Sequence, residues 1–141
     1  MTLPLPQMIC FSLYSATHAM QRAYKPLLDA LGLTYPQYLV LVALWDQDGQ
    51  TVGQLGLALQ LESNTLTPLL KRLQSMGMVN RVRDDADERQ VRVSLTAHGR
   101  TLQSKAAVIP ACILEKSGLT LPAMSALRDQ VNDLRDQLRK N

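Results

Sequence analysis

What most constrains this chain is a change of hydrophobic period partway along it. From Val52 to Leu73 apolar residues return every three or four positions, as on a helix with one buried face; from Val79 to Leu95 they alternate, as on a strand. Val52, Leu55, Leu57, Ala58 and Leu59 predict a short helix ending at Leu61. Ser63 suits an N-cap, and a second helix from Asn64 to Met76 turns Leu66, Leu69, Leu70 and Leu73 inward and leaves Thr65, Thr67, Lys71 and Arg72 outward. Gly77 is its natural stop. Val79 with Arg81 and Arg83 reads as one strand, and Val91, Val93 and Leu95, alternating with Arg92 and Ser94, as another; the polar loop Asp84 to Glu88 joins them.

The remainder reads as helix. Ile9, Leu13, Ala16, Met20, Ala23, Leu27 and Leu31 form one stripe on a long first helix, with a kink or break expected near Tyr24 and Lys25 because Pro26 removes a hydrogen bond, and with Gly32 as its end. After Thr34, a segment with Pro36 in its first turn is apolar nearly all round from Tyr38 to Trp45, so it should be central. Asp48 and Gly49 make a turn. Thr96 caps a helix that reaches toward Glu115, broken near Pro110. A last helix from Pro122 to Arg139 carries a narrow stripe of Met124, Leu127, Val131, Leu134 and Leu138, suited to burial against a partner helix. With only 4% aromatic residues the interior should be aliphatic, and the fold mainly α with a small β-hairpin wing.

Charge and cysteine usage narrow the function. The net charge of +3 is unevenly spread: Thr51 to Pro110 holds eight basic against five acidic residues, the first fifty residues two against three. Met1 to Pro6 lacks the features of a secretory signal and no apolar run approaches the ~20 residues of a membrane span, so a cytoplasmic protein with no membrane partner is expected. Cys10 and Cys112 lie far apart, and neither they nor His18 and His98 show metal-ligand spacing; no metal and no cofactor are expected.

A short helix, a turn, an amphipathic helix and a charged hairpin in this order describe a winged helix-turn-helix. Ser63, Asn64, Thr65 and Thr67 are short hydrogen-bonding side chains at a helix N-terminus, where phosphate is also favoured, and Lys71 and Arg72 reach phosphates further along. Arg89 follows the acidic tip Asp84, Asp85, Asp87 and Glu88 and could enter a minor groove, with Asp87 orienting it. Alone, the hairpin could equally be a solvated charge run; joined to the helix pair it favours DNA.

The stretch from Asn64 through Pro68 to Leu73 (NTLTPLLKRL), the hairpin Asp87 to Gln90 (DERQ) and the helix start Leu95 to Arg100 (LTAHGR) resemble the MarR family of bacterial regulators over nearly the whole chain. The resemblance implies a single domain over 1–141: a homodimer joined by helices at about 5–32 and 97–140, with a DNA-binding lobe at about 34–96 that reads a pseudo-palindromic double-stranded operator. Glu62 departs from the aspartate usual in that family.

Gln7 to Tyr14, Tyr24 to Asp29 and Leu33 to Tyr38 resemble more closely the OhrR subfamily of organic hydroperoxide sensors. That resemblance implies a peroxide-reactive thiol at Cys10, bonded by the partner subunit's Tyr24 and by the partner subunit's Tyr35. A thiolate can be favoured by a helix N-terminus and by hydroxyl donors, then oxidised to a sulfenic acid. Cys112 lies closer to its proline than the resolving thiol of two-cysteine sensors. Two routes stay open: an intersubunit disulfide from Cys10 to Cys112, or capping of Cys10 by a low-molecular-weight thiol. Without the resemblance, Cys10, Tyr24 and Tyr35 would read as core residues. A repressor released by a phenolic or lipophilic ligand and a thiol peroxidase are the competing functions; the basic helix and hairpin speak against an enzyme.

Overall fold

The computed structural model describes residues 2–140; Met1 and Asn141, the two ends of the expected single domain, lie outside the described residues. The chain separates into two compact units, one running to Ala107 and one starting at Val108.

The first unit opens with a single 3-10 turn, Leu5–Gln7, and the helix α1, Ile9–Asp29. Of the kink or break expected near Tyr24 and Lys25, the break is absent: α1 runs through Pro26 as one helix. A proline forfeits one hydrogen bond, and here Lys25 and Asp29 form an ion pair across the last turn at 3.0 Å. Then come α2 (Tyr35–Asp46), β1 (Gln50–Thr51), α3 (Val52–Leu59), α4 (Ser63–Ser75), β2 (Val79–Arg83), β3 (Val91–Leu95) and α5 (Ala97–Ala106). Thr34 starts α2 with a reciprocal cap to Gln37, and Thr51 does the same for α3 with Gln54. α3 stops at Leu59, two residues short of the sequence reading, because Gln60 turns left-handed at φ 57.

The strands form an antiparallel sheet in the order β1-β3-β2, with Val79 opposite Leu95, Arg81 opposite Val93 and Arg83 opposite Val91. β1 was invisible to periodicity. It is two residues long and is defined only by its pairing with Val93 and Arg92.

The core of this unit is aliphatic. Leu41, Leu44, Leu55, Leu66, Leu70, Leu73, Val79 and Val93 are wholly buried, each contributing about 2 kcal/mol of apolar burial. Leu69, expected inward, is only half-buried.

Thr96 joins sheet to helix: its hydroxyl donates to the carbonyls of Gly77 and Met78 and accepts from the Gly99 amide, capping α5 as expected. Gly99 is then pressed against the backbone of Met78 just before β2, and a Cβ there would lie 2.2 Å from the Met78 carbonyl oxygen. Trp45 donates its indole N–H to the Gly99 carbonyl at 2.9 Å, which fixes α2 on the same joint. Asp48 closes it from the other side, accepting from the Gly49 and Leu95 amides and pairing with Arg100.

The second unit consists of α6, Ile109–Ser117, and α7, Leu121–Arg139, linked at Gly118 with φ 70. The break before Pro110 matches expectation. Ile109 and Ile113 are buried, but α7 has no buried residue: Leu127, Val131 and Leu138 are 51%, 38% and 64% exposed. The stripe on α1 is likewise left open, with Ile9 and Met20 exposed; the helix's one buried residue, Leu28, lies off that stripe. No single helix among the described residues is long and apolar enough to cross a membrane.

Candidate nucleic-acid interface and thiol site

α3 and α4 are packed together and α4 lies against β2, so the N-terminal half of α4 and the hairpin border one crevice of about 380 Å³. Ser63, Thr67, Arg81 and Arg89 line it. On α4, Ser63, Thr67, Leu70 and Gln74 follow one another at four-, three- and four-residue steps, which makes them one stripe facing the hairpin. Asn64, Thr65, Pro68, Lys71 and Arg72 are exposed beside that stripe. The structure therefore brings Ser63, Thr67 and Arg89 together and leaves Lys71 and Arg72 on the open flank.

Ser63 is the first residue of α4 and not its cap. The cap position falls to Glu62, whose side chain makes no capping bond. A glutamate carries one methylene more than the aspartate favoured at such positions and is a poor match for the short reach to the next turn's amides. Pro68 sits inside α4 at the cost of one backbone bond.

The hairpin tip is held by its own charges. Arg89 Nε and Nη2 donate to Asp87 Oδ1 and Oδ2 at 3.1 and 3.3 Å, and Asp87 Oδ1 also accepts from the Arg89 amide, the orienting role expected of Asp87. The Arg89 side chain remains 90% exposed. Arg83 donates to the Glu88 carbonyl, while Arg92 bonds both Asp84 and the Gly49 carbonyl, tying the wing to the turn before β1. The Ala86 amide and then Arg92 hold the Asp84 carboxyl below the usual carboxylate range.

Cys10 is exposed in the first turn of α1, where unpaired amides give the helix its positive end. Tyr24 follows fourteen residues later on the same helix, about 21 Å along the axis. There it meets Tyr35 and Tyr38 of α2, with ring centres 5.0 and 6.0 Å away, and Tyr38 continues to Trp45 at 6.3 Å. Burial, and then the neighbouring phenols Tyr35 and Tyr38, push the Tyr24 hydroxyl up to about 12; burial raises Tyr35 and Tyr38 as well. All three stay protonated donors at neutral pH. The sequence reading missed Tyr38 as a member of this cluster because its spacing marked it only as core. Cys112 is half-buried on α6, in the other unit. Among the described residues no group of three or more His, Cys, Asp or Glu side chains could hold a metal ion.

A three-stranded sheet, a helix pair between its first and second strands and a basic crevice between helix and hairpin define a winged-helix regulator. Comparison with known proteins agrees. A family model described as the transcriptional regulator SarA/Rot matches residues 22–106. The chain is 48% identical to the HTH-type transcriptional regulator TtmR of Methylorubrum extorquens over 95% of its own length and 69% of that protein's. It is also 48% identical to the organic hydroperoxide resistance transcriptional regulator of Bacillus subtilis, over 78% of this chain and 75% of that one. Reduced AbfR bound to DNA, a regulator known from Staphylococcus epidermidis, superposes with a TM-score of 0.81 at 35% identity, covering 96% of this chain and 93% of the other. The chain belongs to the MarR/SarA-like winged-helix class of transcriptional regulators.

Proposed function

We propose that this regulator is a homodimeric repressor that binds pseudo-palindromic double-stranded operator DNA and releases it when an organic hydroperoxide oxidises Cys10. In this reading the whole of 1–141 acts as one MarR-type domain in the cytoplasm. Residues 34–96 form the DNA-binding lobe, with Ser63, Asn64, Thr65, Thr67, Pro68, Lys71, Arg72, Asp87 and Arg89 at the interface. Helices within 5–32 and 97–140 form the dimer interface, and the exposed apolar residues of α1 and α7 support that assignment.

The redox part is carried by one observation: the thiol and the phenol cluster occupy opposite ends of α1, about 21 Å apart. Tyr14 is one turn from Cys10 on the same helix, but a phenol of the buried cluster can reach Cys10 only from a second copy, which joins sensing to dimer geometry. The thiolate sulfur attacks a peroxy oxygen, the O–O bond breaks, the alkoxide leaves and takes a proton as alcohol, and Cys10 becomes a sulfenic acid. A second thiol, from Cys112 of the partner subunit or from a low-molecular-weight thiol, then attacks that sulfur and expels water to leave a disulfide. Two reading helices must enter grooves about 34 Å apart, so a modest change at the interface suffices for release. The similarity to the Bacillus subtilis hydroperoxide resistance regulator supports the choice of oxidant.

Operator binding is measured before and after an organic hydroperoxide, for native protein and Cys10→Ser, with the mass of the peptide bearing residue 10. The native protein should release DNA and gain oxygen or a disulfide while the serine variant holds on; equal release by both sinks the redox reading. Non-reducing electrophoresis separates a covalent dimer through Cys112 from a capped monomer.

A recess of about 360 Å³ beside Tyr35, lined by Leu28, Leu33 and Pro36 and by the polar Gln21, Lys25, Asp29 and Thr34, supports a second reading in which a phenolic or lipophilic ligand triggers release. Release of DNA from Cys10→Ser protein by such a ligand would support it.

A further inference from the structure

We infer that Arg81, steadied by Gln74, is a phosphate clamp at the inner end of the crevice between α4 and the hairpin. The inference rests on the DNA-binding reading above and adds to it a contact and a positioning residue that the sequence did not single out.

The argument starts from the sheet. Val79, Arg81 and Arg83 share one face of β2, opposite Leu95, Val93 and Val91. Exposure along that face rises from the wholly buried Val79 through the half-buried Arg81 to the exposed Arg83, because the sheet extends past the aliphatic core. Arg81 thus stands at the edge of the core with its guanidinium in the crevice. The stripe of α4 that faces it ends at Gln74, whose Oε1 accepts from Arg81 Nε at 2.7 Å.

Charge distinguishes Arg81 from Arg89, the other arginine lining the crevice, and from Arg92. Arg89 is paired with Asp87 and Arg92 with Asp84, so both are partly neutralised. Arg81 is bonded to a neutral amide, and its charge stays uncompensated in a concave surface that also holds the hydroxyls of Ser63 and Thr67. With Nε occupied, the two Nη groups remain as a planar fork, the geometry that grips two oxygens of one phosphodiester. A phosphate there would lie between the helix that reads bases and the wing, and would set the depth of both without reading sequence.

The test compares native protein with Arg81→Gln, Arg81→Lys, Gln74→Leu and the double variant Arg81→Gln/Gln74→Leu, on operator and scrambled duplexes over a range of salt, with thermal melting as the check on folding. Arg81→Gln should weaken both duplexes by the same factor and lower the slope of log K against log salt by about 0.9 per bound protomer. Arg81→Lys should restore the slope and only part of the affinity. Gln74→Leu should weaken binding in the native background and change nothing further when Arg81 is already glutamine, an outcome that a merely structural glutamine would not give. A folded Arg81→Gln protein with native slope and affinity overturns the clamp and leaves the DNA reading intact. Failure of the native protein to bind any duplex overturns both.

Discussion

Leu66, Leu70 and Leu73 on α4 are wholly removed from solvent, while Ile9 on α1 and Leu127 and Leu138 on α7, helices of comparable amphipathicity, are more than half exposed. The lobe from α2 to β3 completes its core with its own side chains. The terminal helices do not. An apolar stripe states that a face will be covered, and says nothing about whether the cover comes from the same chain or another.

The sharpest way to break the contrast is at the joint that closes the lobe. Gly99→Ala forces a Cβ to 2.2 Å from the Met78 carbonyl, and backbone on both sides must shift. The expected loss is at least ~3 kcal/mol, enough to prevent folding at growth temperature, measured by denaturant unfolding.

Paired alanine substitutions come next. Leu70→Ala should cost about 2–5 kcal/mol at every protein concentration, whereas Leu127→Ala should leave dilute protein near its native melting temperature and flatten the rise of that temperature with concentration. Equal losses in dilute solution would show that α7 is not a face awaiting a partner.

Glu62→Asp shortens the uncapped side chain at the start of α4, and a gain of about 0.5–1 kcal/mol is expected by thermal melting.

The last test concerns the phenol cluster, whose effect is confined to alkaline pH. A folded-state value raised from 10.0 to about 12 means that the stability from the neutral, buried Tyr24 hydroxyl is fully present below pH 10 and is lost as pH climbs through about 12. Ultraviolet titration should find the tyrosinates of Tyr24, Tyr35 and Tyr38 appearing late in native protein and at ordinary pH once the chain is unfolded.

Much of this was legible before any coordinates. Helical and alternating periods located α3, α4, β2 and β3 within two residues, and the short polar side chains from Ser63 to Thr67 marked one wall of the crevice. Local chemistry was legible as well, as with Thr96 at the head of α5 and Asp87 beside Arg89. What stayed hidden shares one property, dependence on residues far away in the chain. β1 exists through Val93, the uninterrupted course of α1 past Pro26 is a balance of bonds that no pattern encodes, and Arg81 acquires its partner only once α4 is laid against β2.

By itself, then, the amino-acid order determined the main helices, the two strands of the hairpin and most of their apolar faces, because those follow from contacts between near neighbours along the chain. Only the tertiary structure decided that Gly99 must lack a side chain, that Arg81 keeps an unneutralised charge beside Ser63 and Thr67, and that the phenols gather a whole helix length from Cys10. Each of those depends on distances between elements, and such distances are set by packing and not by the order of residues within any one of them.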